Sequence, residues 1–291
     1  MLKLSIRAGL LFYLLFLVVF PKIGLSKDAW KIQARVAWVD HASKEFILRD
    51  ISTVSGELPF EKVEIRVRVH PGDAQVGYAD QRIRAHLVED EVGWRLEYVW
   101  PADSDKLQQM EDVNRRLRFD TVTRGRKVYR AMGEYLPDFA LFDQNGNAIR
   151  HTTFRGKRMV LNFFFTRCMI PKMCPAATAR LVRLQREAKK KQIDGFQIIS
   201  ISFDPEYDTP GVLNDYGTQR GIDFGNYSLL TGDKQAIEDM MKQFGILVFP
   251  EDGTLNHTMA TLLIDEKGKI LYRKNGSRWS VRDFLDRLSK S

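Results

Sequence analysis

Apolar and polar residues alternate through residues 30–100, in short stretches separated by polar turns. Alternation with a period of two is the pattern of strands that bury one face. It therefore predicts a small all-β domain, either a barrel or a sandwich, over residues 28–100. The predicted strands cover residues 32–39, 45–48, 63–69, 82–87 and 94–100.

The alternation ends at residues 101–105, which contain proline, serine and two aspartates. Apolar residues then recur at helical spacing, at Leu107, Met110, Val113 and Leu117. A spacing of three and four residues places these side chains on one face of a helix. Residues 101–132 are thus predicted to be a connector that contains one helix.

Strands and helices alternate in the second half of the chain, residues 133–291. Continuous apolar runs predict buried strands, turn residues at 143–146 predict a hairpin, and helical spacing of apolar residues predicts the helices. This order predicts an α/β domain whose sheet is covered on both faces. The strands are predicted at residues 159–165, 196–203, 260–264 and 269–272, and helices after Pro175 and Pro210 and at 237–244 and 281–288.

The N-terminus has the features of an export signal. Lys3 and Arg7 precede an apolar stretch at residues 8–20, and Gly24 and Ser26 offer small residues for cleavage. Thirteen apolar residues are short for a transmembrane helix. Residues 1–26 are therefore predicted to be a cleaved signal peptide or an N-terminal anchor in the membrane. Either would place the remaining chain outside the cytoplasm, in the periplasm or anchored facing it.

Composition and charge are those of a globular protein, with 44% hydrophobic and 28% charged residues in a chain of 291. The formal net charge is +8, and three of the cations lie within residues 1–26. A basic cluster spans residues 180–191 and is read as a solvated helix face. No zinc-finger spacing or other nucleic-acid signature accompanies it, so no nucleic-acid partner is expected.

The chain has two cysteines, Cys168 and Cys174, with five residues between them. They lie where a predicted strand ends and a helix begins. A thiol pair at this position can form a disulfide, exchange electrons with another dithiol, or bind a soft metal with a third ligand. Because Pro175 places Cys174 at the start of the helix, the helix dipole is expected to lower the thiol pKa of Cys174. A structural disulfide is less favoured, since so small a loop constrains the unfolded chain little.

His257 is the histidine that suits such a site, because it precedes a predicted strand whose edge faces the cysteine turn. Two thiolates and one imidazole suit Cu(I), and could hold Cu(II) with an added water or carboxylate. Met169 and Met173 add thioether sulfur within the loop, and Asp204 could supply a carboxylate from the next strand.

These residues resemble the Sco/SenC copper chaperones, a family within the thioredoxin superfamily. The resemblance covers residues 133–291 and implies a thioredoxin-like fold, copper as the bound metal, and Cys168, Cys174 and His257 as its ligands. It also implies delivery of copper to, or reduction of the cysteines of, the dinuclear copper site of cytochrome c oxidase or another exported cuproprotein. The matching segments are residues 136–139, 156–157, 165–168, 174–175, 202–210 and 257–268.

The loop departs from the usual pattern of that family, which has a shorter loop between its cysteines. Here five residues separate them, and Lys172 stands where the family often has an acidic residue. Two other functions therefore stay open. One is an exported thiol-disulfide oxidoreductase, in which Cys168 and Cys174 form the redox pair. The other is a non-catalytic binding protein with a structural disulfide.

Overall fold

The computed structural model describes residues 29–289, except residues 55, 62, 126–128 and 252–253. The predicted export signal therefore lies outside the described residues. Within the described ranges, no helix is both long and apolar enough to cross a membrane.

The first five strands close into a barrel, which decides between the two predicted alternatives. The strand order around the barrel is β1-β2-β3-β5-β4. The barrel closes where β1 pairs antiparallel with β4, and β3 meets β5 in a parallel pair. This is the five-stranded topology of the OB-fold. The strands are β1 (Trp30–Asp40), β2 (Glu45–Thr53), β3 (Glu64–Arg68), β4 (Arg82–Asp90) and β5 (Gly93–Pro101).

Strand β2 extends five residues beyond its predicted end. Its second half does not alternate, because Arg49 and Asp50 are both exposed. Asp50 has a positive φ of 51°, and the register between β1 and β2 shifts at this point. A bulge of this kind re-aims the strand without ending its hydrogen-bonded ladder. Period-two patterning cannot detect it.

The predicted connector helix is α1 (Ser104–Arg124), which starts at the N-cap Asp103. Met110, Val113 and Leu117 are buried on it as predicted. This face packs against strand β6 (Ala140–Asp143) and helix α4 (Lys234–Phe244) of the second half of the chain. Arg118 also forms an ion pair of 2.9 Å with the buried Asp239 of α4. The helix is thus built onto the second half of the chain.

The second half forms a seven-stranded sheet of order β14-β13-β8-β9-β10-β6-β7, with helices α2 to α5. The three central strands β8, β9 and β10 are parallel. A separate hairpin pairs β11 with β12. The elements are β6 (Ala140–Asp143), β7 (Ala148–Arg150), β8 (Arg158–Phe164), α2 (Cys174–Lys190), β9 (Phe196–Ser202), α3 (Pro210–Gln219), β10 (Tyr227–Thr231), α4 (Lys234–Phe244), β11 (Val248–Glu251), β12 (Thr254–His257), β13 (Ala260–Ile264), β14 (Ile270–Asn275) and α5 (Val281–Leu288).

Both faces of this sheet are covered. Every residue of β9 is buried, and so is nearly every residue of β8. Helix α2 packs with α5, while α4 packs with α1. The predicted apolar face of α2 is buried as well, with Ala177, Leu181 and Leu184 among the core residues. Continuous burial of parallel strands is what a sheet enclosed between helices requires.

Two glycines lie at a close contact between the barrel and helix α3. Residues 73–75, a short 3₁₀ turn after β3, lie against the start of α3. A Cβ atom on Gly72 would lie 1.8 Å from the carbonyl oxygen of Gly211, and one on Gly211 would lie 2.0 Å from Asp73 Oδ1. The two backbones can approach this closely only because neither residue has a side chain.

Asp73 is enclosed at this contact and is 3% exposed. Its Oδ1 has no hydrogen-bond partner among the described residues. Burial raises the pKa of the Asp73 carboxyl to about 8, because an unpaired negative charge is costly away from water. The carboxyl is therefore largely protonated at neutral pH.

Candidate metal centre

The cysteine pair lies at the carboxyl end of the central strand β8. The chain leaves β8 at Phe164 and reaches Cys168 four residues later. Helix α2 begins at Cys174, with Pro175 in its first turn. The N–H group of Met173 donates to the carbonyl of Ile170 at 3.0 Å, which folds the intervening five residues into a turn. The longer loop thus returns to the strand end from which it started.

His257 reaches the same point from the hairpin β11–β12, of which it is the last residue. Its ring packs against Phe165 and Phe203, with centroid distances of 5.7 and 4.7 Å. Its Nδ1 lies 2.9 Å from the carbonyl oxygen of Thr258. Because a carbonyl can only accept, Nδ1 carries the ring proton and donates it. The lone pair is then on Nε2, which is 3.2 Å from the sulfur of Cys174.

Cys168, Cys174 and His257 form one buried cluster. Their two sulfur atoms and one ring nitrogen all lie within 4.8 Å of one another. Both cysteines are free thiols. Among the residues that the structure describes, this is the one group of three or more potential ligands from histidine, cysteine and acidic side chains. Its donors are two soft sulfurs and an imidazole.

The two thiols differ strongly in acidity. The pKa of Cys168 is lowered to about 4, chiefly because the Cys174 thiol donates a hydrogen bond to it. The backbone N–H of Cys174 at the start of α2 also donates to Cys168. The pKa of Cys174 is raised, first by this hydrogen bond to Cys168 and then by burial. Cys168 is therefore the thiolate when no metal is bound.

The prediction that the helix would lower the pKa of Cys174 is wrong for a geometric reason. The backbone N–H group of Cys174, the first residue of α2, points toward Cys168 and not toward the Cys174 side chain. Cys174 itself is only 1% exposed, and removal from water disfavours its thiolate. The N–H group at the start of the helix therefore stabilises the thiolate of Cys168, the cysteine that precedes the helix.

Asp208 fixes the beginning of the cysteine loop. This carboxylate is fully buried and accepts hydrogen bonds from the backbone N–H of Thr166 at 3.1 Å and from the Thr166 hydroxyl. It also accepts from the hydroxyl of Ser202 at 2.5 Å. Burial nevertheless raises the pKa of Asp208 to about 6. Thr209, and not Asp208, is the residue that caps α3.

The sequence also predicts three residues near the metal, Asp204, Met169 and Met173. Asp204 pairs with Arg167, whose Nε and Nη2 lie 3.0 and 2.7 Å from its carboxylate. Met169 is 82% exposed on the loop. Met173 is partly buried and lines a cavity together with His257. The structure thus brings Met173 to the cluster, whereas Asp204 is engaged elsewhere and Met169 faces solvent.

The second half of the chain is similar to proteins of one known family. Residues 128–289 match the SCO1/SenC family. The SCO1 protein homolog of Bacillus subtilis is 30% identical over 156 residues, which are 52% of this chain and 79% of that protein. A SCO1/SenC family lipoprotein from Bacillus anthracis has a similar crystal structure, with a TM-score of 0.50 and 30% identity over 56% of this chain and 98% of its own. Bradyrhizobium japonicum ScoI, solved with copper bound, is 27% identical, with a TM-score of 0.45, over 55% of this chain and 99% of its own.

Proposed function

We propose, since the chain belongs to the SCO1/SenC family, that it is an exported copper-binding assembly factor. In this proposal Cys168, Cys174 and His257 hold one Cu(I) and pass it to the dinuclear copper site of cytochrome c oxidase. The observation that carries the proposal is the convergence of two sulfurs and Nε2 of His257 within 4.8 Å. Export is proposed from the pattern of residues 1–26.

The chemistry of the donor atoms favours Cu(I) as the cargo. Thiolate sulfur selects soft ions, and Cu(I) is the soft ion that accepts three ligands. The lone pair of Nε2 faces the sulfurs because Nδ1 donates to Thr258. One cysteine is already a thiolate, so only the thiol proton of Cys174 must leave when the ion binds. A three-coordinate ion keeps an open position at which a ligand of the acceptor can enter.

One observation also favours a second candidate function, thiol-disulfide exchange. Cys168 has a lowered pKa and lies beside a protonated thiol, which is the arrangement of an attacking and a resolving cysteine. Attack by the Cys168 thiolate on a partner disulfide would form a mixed disulfide and release one partner thiolate. Cys174 would then lose its proton, attack Cys168 and release the second, reduced partner thiol.

Anaerobic titration of the reduced, full-length protein with Cu(I) tests the copper proposal. We expect one tightly bound ion per chain, measured against a chromophoric Cu(I) chelator. Loss of the imidazole in His257→Ala should weaken binding at least about tenfold, since even the loss of a hydrogen-bond partner of a metal ligand has an effect of that size.

His151→Ala is the matched control, because His151 lies against Asp138 at 2.7 Å and outside the cluster. Its copper affinity should equal that of the wild type. A wild-type protein that binds no Cu(I) but reduces disulfides in a glutathione buffer would contradict the copper proposal and support thiol-disulfide exchange.

A further inference from the structure

A cavity of about 480 Å³ opens beside the metal cluster. His257 and Met173 line it, together with residues of β14 and of the turn that follows β14. The described residues that line the cavity include the cation Arg273 but no aspartate or glutamate. The lining residues are Tyr129, Met173, Gly245, His257, Thr258, Met259, Arg273, Asn275, Gly276 and Ser277.

Arg273 is a half-buried cation without a carboxylate partner among the described residues. Its Nε donates to Asn275 Oδ1 at 2.9 Å, and its Nη2 donates to the carbonyl of Phe244 at 2.8 Å. Its Nη1 is shielded from solvent and has no hydrogen-bond partner in the described part of the chain. Burial lowers the pKa of Arg273, and the opposing contribution comes from Tyr129 and not from a carboxylate. A partly buried guanidinium usually forms charge-assisted hydrogen bonds with an anion, and Arg273 has no such partner among the described residues.

A second cavity, of about 750 Å³, shares two lining residues with the first. Tyr129 and Gly245 line both cavities, and Arg273 stacks on the Tyr129 ring at 4.9 Å. The second cavity is largely apolar, with Val122, Ile246 and Leu247 among its lining residues. Tyr129 is 51% exposed and Leu247 is 54% exposed. We call these two cavities, which meet at Tyr129 and Gly245, the Tyr129 groove.

The rim of the second cavity is also basic. Arg118 and Arg124 lie there but already pair with Asp239 and Glu134, at 2.9 and 2.5 Å. Lys242 is exposed and has no ion pair among the described residues. Again no acidic residue is among the described residues that line the cavity. The Tyr129 groove therefore offers two uncompensated cations, Arg273 and Lys242, along an apolar floor.

We propose that the Tyr129 groove binds an extended segment of the protein that exchanges copper with the cluster. A carboxylate side chain of that segment pairs with Arg273, and an apolar side chain lies against Val122 and Leu247. The identification of this partner as a copper-exchanging protein rests on the proposed function.

The dimensions and chemistry favour a polypeptide over a small anion. A single carboxylate would occupy only the first cavity and would leave the apolar one empty. A peptide in extended conformation advances about 3.3 Å per residue, so a few residues link an acidic side chain to an apolar one. Because the first cavity includes His257 and Met173, a segment held there lies next to the metal ligands. Binding of this kind raises the effective concentration of the acceptor at the copper site.

A pair of synthetic peptides tests the Tyr129 groove without copper. The probe is the fluorescein-labelled peptide acetyl-Leu-Gly-Gly-Glu-Gly-Gly-Leu-amide, whose sequence reads the same in both directions. Its control has glutamine in place of glutamate. Binding to the reduced, metal-free, full-length protein is followed by fluorescence anisotropy. We expect the acidic peptide to bind about tenfold more tightly, the size of one charge-assisted hydrogen-bonded pair.

Two variants assign that preference to the groove. Arg273→Gln removes the guanidinium, and Lys242→Glu reverses an exposed charge that has no ion pair among the described residues. Each should reduce the preference for glutamate to less than about threefold. Lys189→Glu, an exposed lysine on α2, is the matched control and should retain the full preference.

Several outcomes would overturn the proposal. Equal affinity for the two peptides would remove the role of the carboxylate, and unchanged preference in both groove variants would place binding elsewhere. Full displacement of the peptide by millimolar acetate would indicate an anion site, and concentration-dependent dimerisation blocked by Arg273→Gln would indicate a second copy of this chain. The Cu(I) titration of the same wild-type sample is a separate measurement. Absence of peptide binding to the Tyr129 groove therefore leaves the copper proposal intact, and absence of Cu(I) binding leaves the peptide result intact.

Discussion

Replacing either Cys168 or Cys174 with serine should abolish tight Cu(I) binding, with a loss of affinity on the order of a thousandfold. A serine hydroxyl is a hard, neutral donor at neutral pH and binds Cu(I) poorly. The remaining thiolate and imidazole would leave the ion with two protein ligands. Competition with a Cu(I) chelator under anaerobic conditions measures the loss directly.

The size of serine is close to that of cysteine, so both variants should fold. Their unfolding midpoints are therefore compared with that of the wild type as a control. The two losses should also be similar, although only Cys168 is a thiolate in the metal-free protein, because bound copper deprotonates both thiols. Stoichiometric copper in Cys168→Ser would rule out the thiolate pair as the site.

Gly72→Ala should destabilise the protein by about 3 kcal/mol, the upper range for overpacking at a close contact. The backbone of Gly72 has φ −68° and ψ −35°, which alanine adopts without strain. The cost is steric, since the new Cβ would lie 1.8 Å from the carbonyl oxygen of Gly211 and 3.0 Å from Cβ of Asp215. The barrel and helix α3 must then move apart.

Chemical denaturation measures this effect, and Gly77→Ala supplies the matched control. No heavy atom outside its neighbouring residues lies within 4 Å of the position that a Cβ on Gly77 would occupy. That variant should be nearly neutral.

If the barrel at residues 28–100 folds separately from residues 133–291, Gly72→Ala should also split unfolding into two transitions while copper affinity stays unchanged. Equal stability of the two variants would contradict the close contact.

Much of the fold follows from the sequence because burial sets its periodicity. Strict alternation marks the barrel strands, and continuous apolar runs mark β8 and β9. The sequence failed where local conformation replaces periodicity. The bulge at Asp50 hid the second half of β2, and the hairpin β11–β12 is too short to show a period.

The three site residues were predictable because few side chains of the right chemistry exist in this chain. The acidities of the two thiols were not, since which cysteine becomes the thiolate depends on the hydrogen bonds that Cys174 donates to Cys168 in the folded loop. The role of Asp208 depends on Thr166, which lies 42 residues earlier and meets it only in the folded sheet. The Tyr129 groove brings together Val122, Tyr129, Lys242, Leu247 and Arg273, and no local pattern connects them.

X-ray absorption at the copper K-edge of the Cu(I)-loaded protein tests the central claim most directly. The account predicts one Cu(I) with two sulfur ligands and one imidazole nitrogen, and the imidazole signal should disappear in His257→Ala. A wild-type spectrum with sulfur ligands alone, or an imidazole signal that persists in His257→Ala, would contradict the assignment of Cys168, Cys174 and His257 as the copper site.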